Sequence, residues 1–248
     1  MRLTRVFVEQ KLVSGKGVGL PEQAGLHLTR VLRLSPGAPL TLFDGTGGEF
    51  AGTLERDGKN WWAKVGAHDP VERESPLTIT LLQGVARGER MDLIVQKATE
   101  LGVARIVPIL TERSVVRMDA SHRQRKREHW QAVAVAACEQ CGRNRVPRVF
   151  DALPLADACD LLPAETLRCL LAADADKSLA SVAQSGQVPP SIALLIGPEG
   201  GLADNERRFA LVNRFIACRM GPRILRTETA GLAALAVLQT VAGDLRPD

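Results

Sequence analysis

The rhythm of the chain changes at Pro76, and that change constrains the fold more than any single residue does. Before it, apolar residues alternate in short runs at 3–8, 40–43, 49–54 and 61–65. These read as strands, parted by turn chemistry at Pro36-Gly37, at Asp44-Gly45-Thr46-Gly47-Gly48 and at Asp57-Gly58. Between the first two, Leu28, Val31 and Leu32 fall at helical spacing within 26–34. Short strands at close intervals suggest a small β-barrel over residues 1–70. Residues 71–76 are charged, bracketed by Pro70 and Pro76 and without apolar periodicity, and read as a linker.

From residue 77 to 248 strands and helices alternate. Apolar strands are expected at 77–83, 105–110, 167–172, 192–196 and 215–220, with helices at about 89–101 and 121–141 and from about 204 and 229. Such alternation implies an α/β domain, a mostly parallel sheet with helices on both faces.

Composition excludes several classes. With 45% hydrophobic and 24% charged residues the chain is ordinary globular material, neither disordered nor collagen-like. No apolar run reaches the roughly 18 residues of a membrane span, and the N-terminus lacks the apolar centre of a signal peptide. Five cysteines in 248 residues are too few, and odd in number, for a disulfide framework, so a reducing cytoplasmic location is expected. The net charge is +4. Between Arg105 and Arg148 lie ten Lys and Arg against four Asp and Glu, an excess of +6 that leaves the rest of the chain at −2. A local excess of this kind fits a polyanionic partner or a solvated helix face. With no tyrosine and 4% aromatics, an extended base-stacking platform is not expected.

The common nucleotide motifs are missing. No G-x-G-x-x-G follows a strand, and the near P-loop at Gly52 and Gly58-Lys59-Asn60 is a hairpin turn. Cys138 and Cys141 form a single C-x-x-C inside a helical run, and structural zinc needs four ligands. His27, His68, His122 and His129 have no ligand spacing, so no metal is expected.

Two glycine-rich turns remain, each directly after an apolar strand. One is Leu194-Leu195-Ile196-Gly197-Pro198-Glu199-Gly200-Gly201; the other is Met220-Gly221-Pro222-Arg223-Ile224-Leu225-Arg226-Thr227-Glu228-Thr229-Ala230. Ligands of open α/β sheets sit beyond the carboxyl ends of the strands, where such loops lie. Glycine lets the backbone approach a ligand closely. Two polar loops at one sheet edge, one bearing a glutamate and the other arginines, form a candidate site.

These loops resemble those of the bacterial ribosomal RNA small-subunit methyltransferase E family, 16S rRNA uridine N3-methyltransferases of the SPOUT superfamily. Glu139-Gln140-Cys141-Gly142-Arg143-Asn144-Arg145-Val146-Pro147, Gln96-Lys97-Ala98-Thr99-Glu100-Leu101-Gly102 and Val31-Leu32-Arg33 extend the resemblance over essentially the whole chain. It implies a PUA-like RNA-binding barrel, then a SPOUT methyltransferase domain at 77–248 with a C-terminal trefoil knot. It also implies S-adenosylmethionine held by three loops. Carried over, these give Leu171, Ala172 and Ala173; Leu195, Ile196, Gly197, Pro198, Gly200 and Gly201; and Met220, Gly221, Ile224, Leu225, Thr227, Thr229 and Ala230. The implied product is N3-methyluridine in 16S rRNA, at uridine 1498. A non-catalytic RNA-binding assembly factor, or a SPOUT enzyme acting on another RNA, are the competing readings.

Methyl transfer to uracil N3 asks for loss of the N3 proton and stabilisation of the charge that spreads to O2 and O4. Arg226 is the candidate for that charge, or for an adjacent phosphate. Glu199 is open to two readings, a proton acceptor or uracil-edge ligand and a charge favoured at a helix N-terminus. Thr227 and Thr229 could equally cap the last helix. RNA phosphates are assigned to Arg33, Arg113, Arg117, Arg123, Arg125, Lys126, Arg127, Arg143, Arg145 and Arg223, the last of these RNA-facing or structural. Finally, residues 230–241 are apolar nearly all round, so that helix wants burial on both sides. Together with the pairing habit of SPOUT enzymes, this implies a homodimer.

Overall fold

The computed structural model describes residues 3–114, 118–184 and 189–246. The chain forms two compact units. One comprises Met1–Glu74 and Cys138–Val146, the other Ser75–Ala137 and Pro147–Asp248.

The first unit holds a five-stranded sheet of order β1-β3-β4-β5-β2, with β1 Thr4–Phe7, β2 Gly17–Gly19, β3 Pro39–Phe43, β4 Glu49–Asp57 and β5 Asn60–Asp69. β1 runs parallel to β3, and the remaining pairs are antiparallel. Alternation along the strands turns Leu40, Leu42, Leu54, Ala63 and Val65 into the core. The expected hairpin turn at Asp57-Gly58 joins β4 to β5, with Gly58 at φ 57°. The helical spacing around Leu28 yields only α1, Glu22–Leu26, and a π turn at His27–Val31. Leu28 is buried, but Val31 and Leu32 stand exposed because the helix stops before their face can reach the core.

Residues 71–74 are not a free linker, and Cys138–Val146 does not belong with the second unit. One network explains both corrections. Arg143 Nε donates to Glu74 Oε2 at 3.0 Å, Arg145 Nε to Glu72 Oε2 at 3.0 Å and Asn144 Nδ2 to the Val71 carbonyl at 2.8 Å. Buried Arg5 pairs with Glu49 and donates to Asn144 Oδ1 at 2.6 Å, while Phe7 N–H donates to Glu139 Oε1 at 3.0 Å. Buried charges need partners of this quality, and the acidic stretch supplies them. Within the same segment, Cys138 is buried and donates to the Arg145 carbonyl at 3.7 Å. Burial pushes its thiol up to about 12, a direction opposite to that of a thiolate ligand.

The second unit is built on seven parallel strands in the order β12-β10-β11-β6-β7-β8, with β9 also pairing β7. They are β6 Thr78–Gly84, β7 Arg105–Leu110, β8 Arg148–Val149, β9 Leu153–Pro154, β10 Leu167–Leu171, β11 Ser191–Ile196 and β12 Ile216–Cys218. Ile79, Leu81, Ile106, Val107, Ile192 and Leu194 are fully buried, as expected of strands covered on both faces. The helices are α2 Arg90–Glu100, α3 Ala120–Cys141, α4 Leu155–Asp160, α5 Leu179–Gln184, α6 Asp204–Val212 and α7 Thr227–Ala242. α7 buries Gly231, Ala234, Leu235, Leu238 and Gln239 along one face. Ala233, Ala236 and Val237 on its opposite side remain part-exposed. No helix among the described residues is long and apolar enough to cross a membrane.

Candidate active site

A parallel sheet sends all its strand ends to one edge, so the loops after β6, β10, β11 and β12 gather there. They enclose a cavity of about 640 Å³. Leu171, Ala172 and Ala173 at the end of β10, Ile196, Gly197, Pro198, Glu199 and Gly201 at the end of β11, and Met220, Arg223, Ile224, Leu225, Arg226, Thr227 and Ala230 all line it. The two glycine loops and the third, less sequence-marked loop therefore border one cavity.

Some expected residues do not reach the wall. Leu195 is wholly buried in the sheet beneath it, because side chains of a strand alternate between faces. Gly200 packs against Arg113, and Gly221 serves the turn, with φ 87°. Thr229 is exposed two residues into α7. The cavity also takes in Glu228 of the second loop, and Arg90, Leu170, Asp174, Leu202, Arg207 and Cys218, which the loop motifs alone do not point to.

Arg90 is the main omission. Its Nη1 lies 2.7 Å from Glu199 Oε1 and its Nε 3.6 Å from Glu228 Oε1, so one guanidinium joins both glycine loops. The Arg87 N–H donates to Glu199 Oε1 at 3.0 Å. Burial pushes the Glu199 carboxyl up, but the Arg87 N–H, its own N–H and the Arg90 guanidinium outweigh this and hold it below its ordinary value. Glu199 is thus kept ionised and engaged, a poor state for taking a proton. It is also five residues ahead of α6, too far for a helix N-terminal charge. Only position marks Arg90 in the sequence: it opens the helix after a strand at the same sheet edge.

A second pair closes the other side. Arg207 Nη1 lies 2.7 Å from Asp174 Oδ2, and this hydrogen bond keeps the Asp174 carboxyl below its usual value. Beneath the loops, Gln83 is fully buried and donates Nε2 to Thr227 Oγ1 at 2.9 Å and to the Gly84 carbonyl at 3.0 Å. Thr227 spends its own proton on the Gly197 carbonyl and caps no helix end; the N-cap of α7 is Arg226, without a side-chain bond.

The expected RNA-facing cations divide. Arg143 is buried on Glu74 and is withdrawn from any phosphate surface, while Arg145 is half-exposed on Glu72. Arg127 lies near Asp151 and Glu128. Arg123, Arg125 and Lys126 lie on α3, with Arg125 exposed. Arg113 Nη1 donates to the Gly200 carbonyl at 3.3 Å. Arg33 takes a left-handed φ of 55° in the first unit. Arg117 lies outside the described residues.

Residues 73–239 match the RNA methyltransferase domain family and residues 20–60 the RNA methyltransferase PUA domain. A ribosomal RNA small subunit methyltransferase E from Neisseria gonorrhoeae, solved with S-adenosyl methionine, is 37% identical. It covers 99% of this chain and 100% of its own at a TM-score of 0.92. A methyltransferase from Legionella pneumophila in complex with the same cofactor is 38% identical, over 98% of this chain and 100% of its own, with a TM-score of 0.91. The methyltransferase E of Synechocystis is 33% identical over 88% of this chain and 71% of its own length. Likeness that runs through both units, and not through the cavity-bearing one alone, means that the chain belongs to the ribosomal RNA small subunit methyltransferase E family.

Proposed function

We propose that this chain methylates N3 of a uridine in small-subunit ribosomal RNA, at uridine 1498 by resemblance, with S-adenosylmethionine as donor. The observation that carries the reading is the meeting of three loops around one cavity at the carboxyl edge of a parallel sheet. Its volume of 640 Å³ lies within the roughly 300–1,000 Å³ of small-molecule sites. Its wall mixes apolar side chains (Leu170, Ile196, Leu225) with loop backbone at Gly197, Gly201 and Met220, which suits an adenosine. Two full-length relatives carry this cofactor in their structures.

When bound, S-adenosylmethionine supplies a methyl group on a positively charged sulfur. The protein's own contribution is placement and charge. Arg226 is exposed at the cavity wall and makes no side-chain ion pair among the described residues, so it is free to stabilise charge on uracil O2 and O4 as N3 loses its proton. Glu199, held by Arg90 and Arg87, braces the loop in place of taking that proton. The outward face of α7, with Ala233, Ala236 and Val237 part-exposed, is the surface through which two copies pair in this proposal.

A methyl on N3 blocks the Watson–Crick edge and arrests reverse transcriptase. Small-subunit RNA from cells lacking the protein should read through the site, and protein plus S-adenosylmethionine should restore the stop. A stop that persists without the protein refutes the target; calorimetry without cofactor binding refutes the enzyme and favours an assembly factor.

A further inference from the structure

Charge is unevenly settled around the cavity. Its three carboxylates are all engaged: Glu199 and Glu228 with Arg90, Asp174 with Arg207. Two further cations of the wall, Arg223 and Arg226, have no side-chain ion pair or hydrogen bond among the described residues. Between them stands Ile224, 87% exposed although it borders the cavity.

Arg226, at φ −65° and ψ 154°, is extended and stands just ahead of the last helix. Exposure alternates along the loop: Ile224 and Arg226 are exposed, Leu225 is half-buried and Thr227 is buried. Leu225 and Thr227 thus turn toward the cavity floor, and Ile224 and Arg226 away from it. A side chain as exposed as Ile224 is not part of the floor that grips a small cofactor.

We propose that Arg223, Ile224 and Arg226 form the substrate lip of the site, gripping a single strand of RNA at the target nucleotide. The Arg223 guanidinium takes a backbone phosphate beside that nucleotide, Arg226 faces the uracil oxygens, and Ile224 packs on the face of the base once it has left the stack. Residues three apart span at most about 10 Å of backbone, so the two long side chains reach one nucleotide, its phosphate and its base together. Phosphate is the ligand that unpaired arginines recognise best, and the intervening apolar side chain suits the flat face of a base. The inference rests on the RNA methyltransferase reading and assigns the outer half of the second glycine loop to substrate, the inner half to cofactor.

The test uses the full-length, cofactor-free protein and a short, uridine-rich single-stranded RNA, with binding followed by fluorescence anisotropy across salt concentrations. Arg223→Gln should flatten the log–log salt slope by about 0.7, the loss of one phosphate contact on a single strand. Ile224→Ser should weaken RNA binding about fivefold or more, on the scale of a lost base-packing contact. Both variants should bind S-adenosylmethionine in calorimetry within about twofold of the parent, well under the tenfold that 1.4 kcal/mol represents. An unchanged RNA slope with cofactor binding weakened tenfold would return the lip to the cofactor. Unchanged RNA binding with a fall in sedimenting mass would make the lip a contact between two copies, and would equally overturn the proposal. A parent protein that binds RNA but no cofactor would refute the enzyme reading and leave the lip standing.

Discussion

Thr227 Oγ1 donates to the carbonyl of Gly197 at 2.6 Å, tying the first residue of α7 to the loop that follows β11. The same oxygen accepts from buried Gln83 at 2.9 Å, so strand β6, the first glycine loop and the last helix share one hydroxyl. Thr227→Val keeps the shape and removes both bonds. It should cost about 1–3 kcal/mol of stability, because buried groups are left unsatisfied. It should also weaken S-adenosylmethionine binding in calorimetry, whereas Thr227→Ser should behave as the parent.

Gly84 closes β6 directly under the same loop. A side-chain carbon there would meet Pro198 N and lie 2.5 Å from Pro198 Cδ. Gly84→Ala should therefore push the first glycine loop outward, lowering stability by about 1–3 kcal/mol as an overpacked site does. Thermal melting and cofactor titration read this together; an unshifted pair of values would mean that the loop yields freely.

Arg226→Ala should lower the methyl-transfer rate at saturating cofactor by about a hundredfold or more, the usual scale for losing a donor to developing charge. Arg226→Lys restores charge without the planar fork and should recover only part of the loss. A rate within twofold of the parent would remove Arg226 from the chemistry.

The Glu199 carboxyl sits below its ordinary value in the folded protein, so the ionised form is favoured by folding. Its contribution is fully present above the unfolded carboxylate pKa of about 4.3. It is lost as pH falls through the lower folded value. Melting temperature should thus hold steady from neutral pH down to about 5, and Glu199→Gln should lessen the fall seen below that. A Glu199 contribution that faded between pH 6 and 8 would contradict the Arg90 pairing, and so would a parent and variant with the same acid limb.

If two copies pair through the outward stripe of α7, Ala233→Glu with Ala236→Glu should halve the sedimenting mass while leaving the melting curve of each protomer intact. A parent that is monomeric at micromolar concentration would end that proposal.

What the sequence revealed followed from period and punctuation. Strands such as β6 and β7 show as apolar runs, and helix α2 repeats its apolar stripe at Met91, Ile94 and Ala98 often enough to be read. The two- and three-residue strands β2, β8, β9 and the six-residue helices α4 and α5 are too short to show any period. The glycine loops marked their part of the cavity, because backbone needs are local. Arg90 is illegible in the sequence for the opposite reason: its partners Glu199 and Glu228 lie more than a hundred residues away, and nothing local signals such a pairing. The segment around Arg143 depends on distance in the same manner. A run of arginines reads as a surface until the distant acids at Glu72 and Glu74 are placed beside it.

That network has a consequence for how the chain comes off the ribosome. The first unit needs residues as late as Val146 to complete Arg5, Glu72 and Glu74. An N-terminal piece of 74 residues, emerging first, leaves buried Arg5 without Asn144 and the acids without their cations. Domains commonly finish in the order in which they are synthesised. Here the N-terminal one must wait until more than half of the chain has been made, and it matures alongside the catalytic half, not ahead of it.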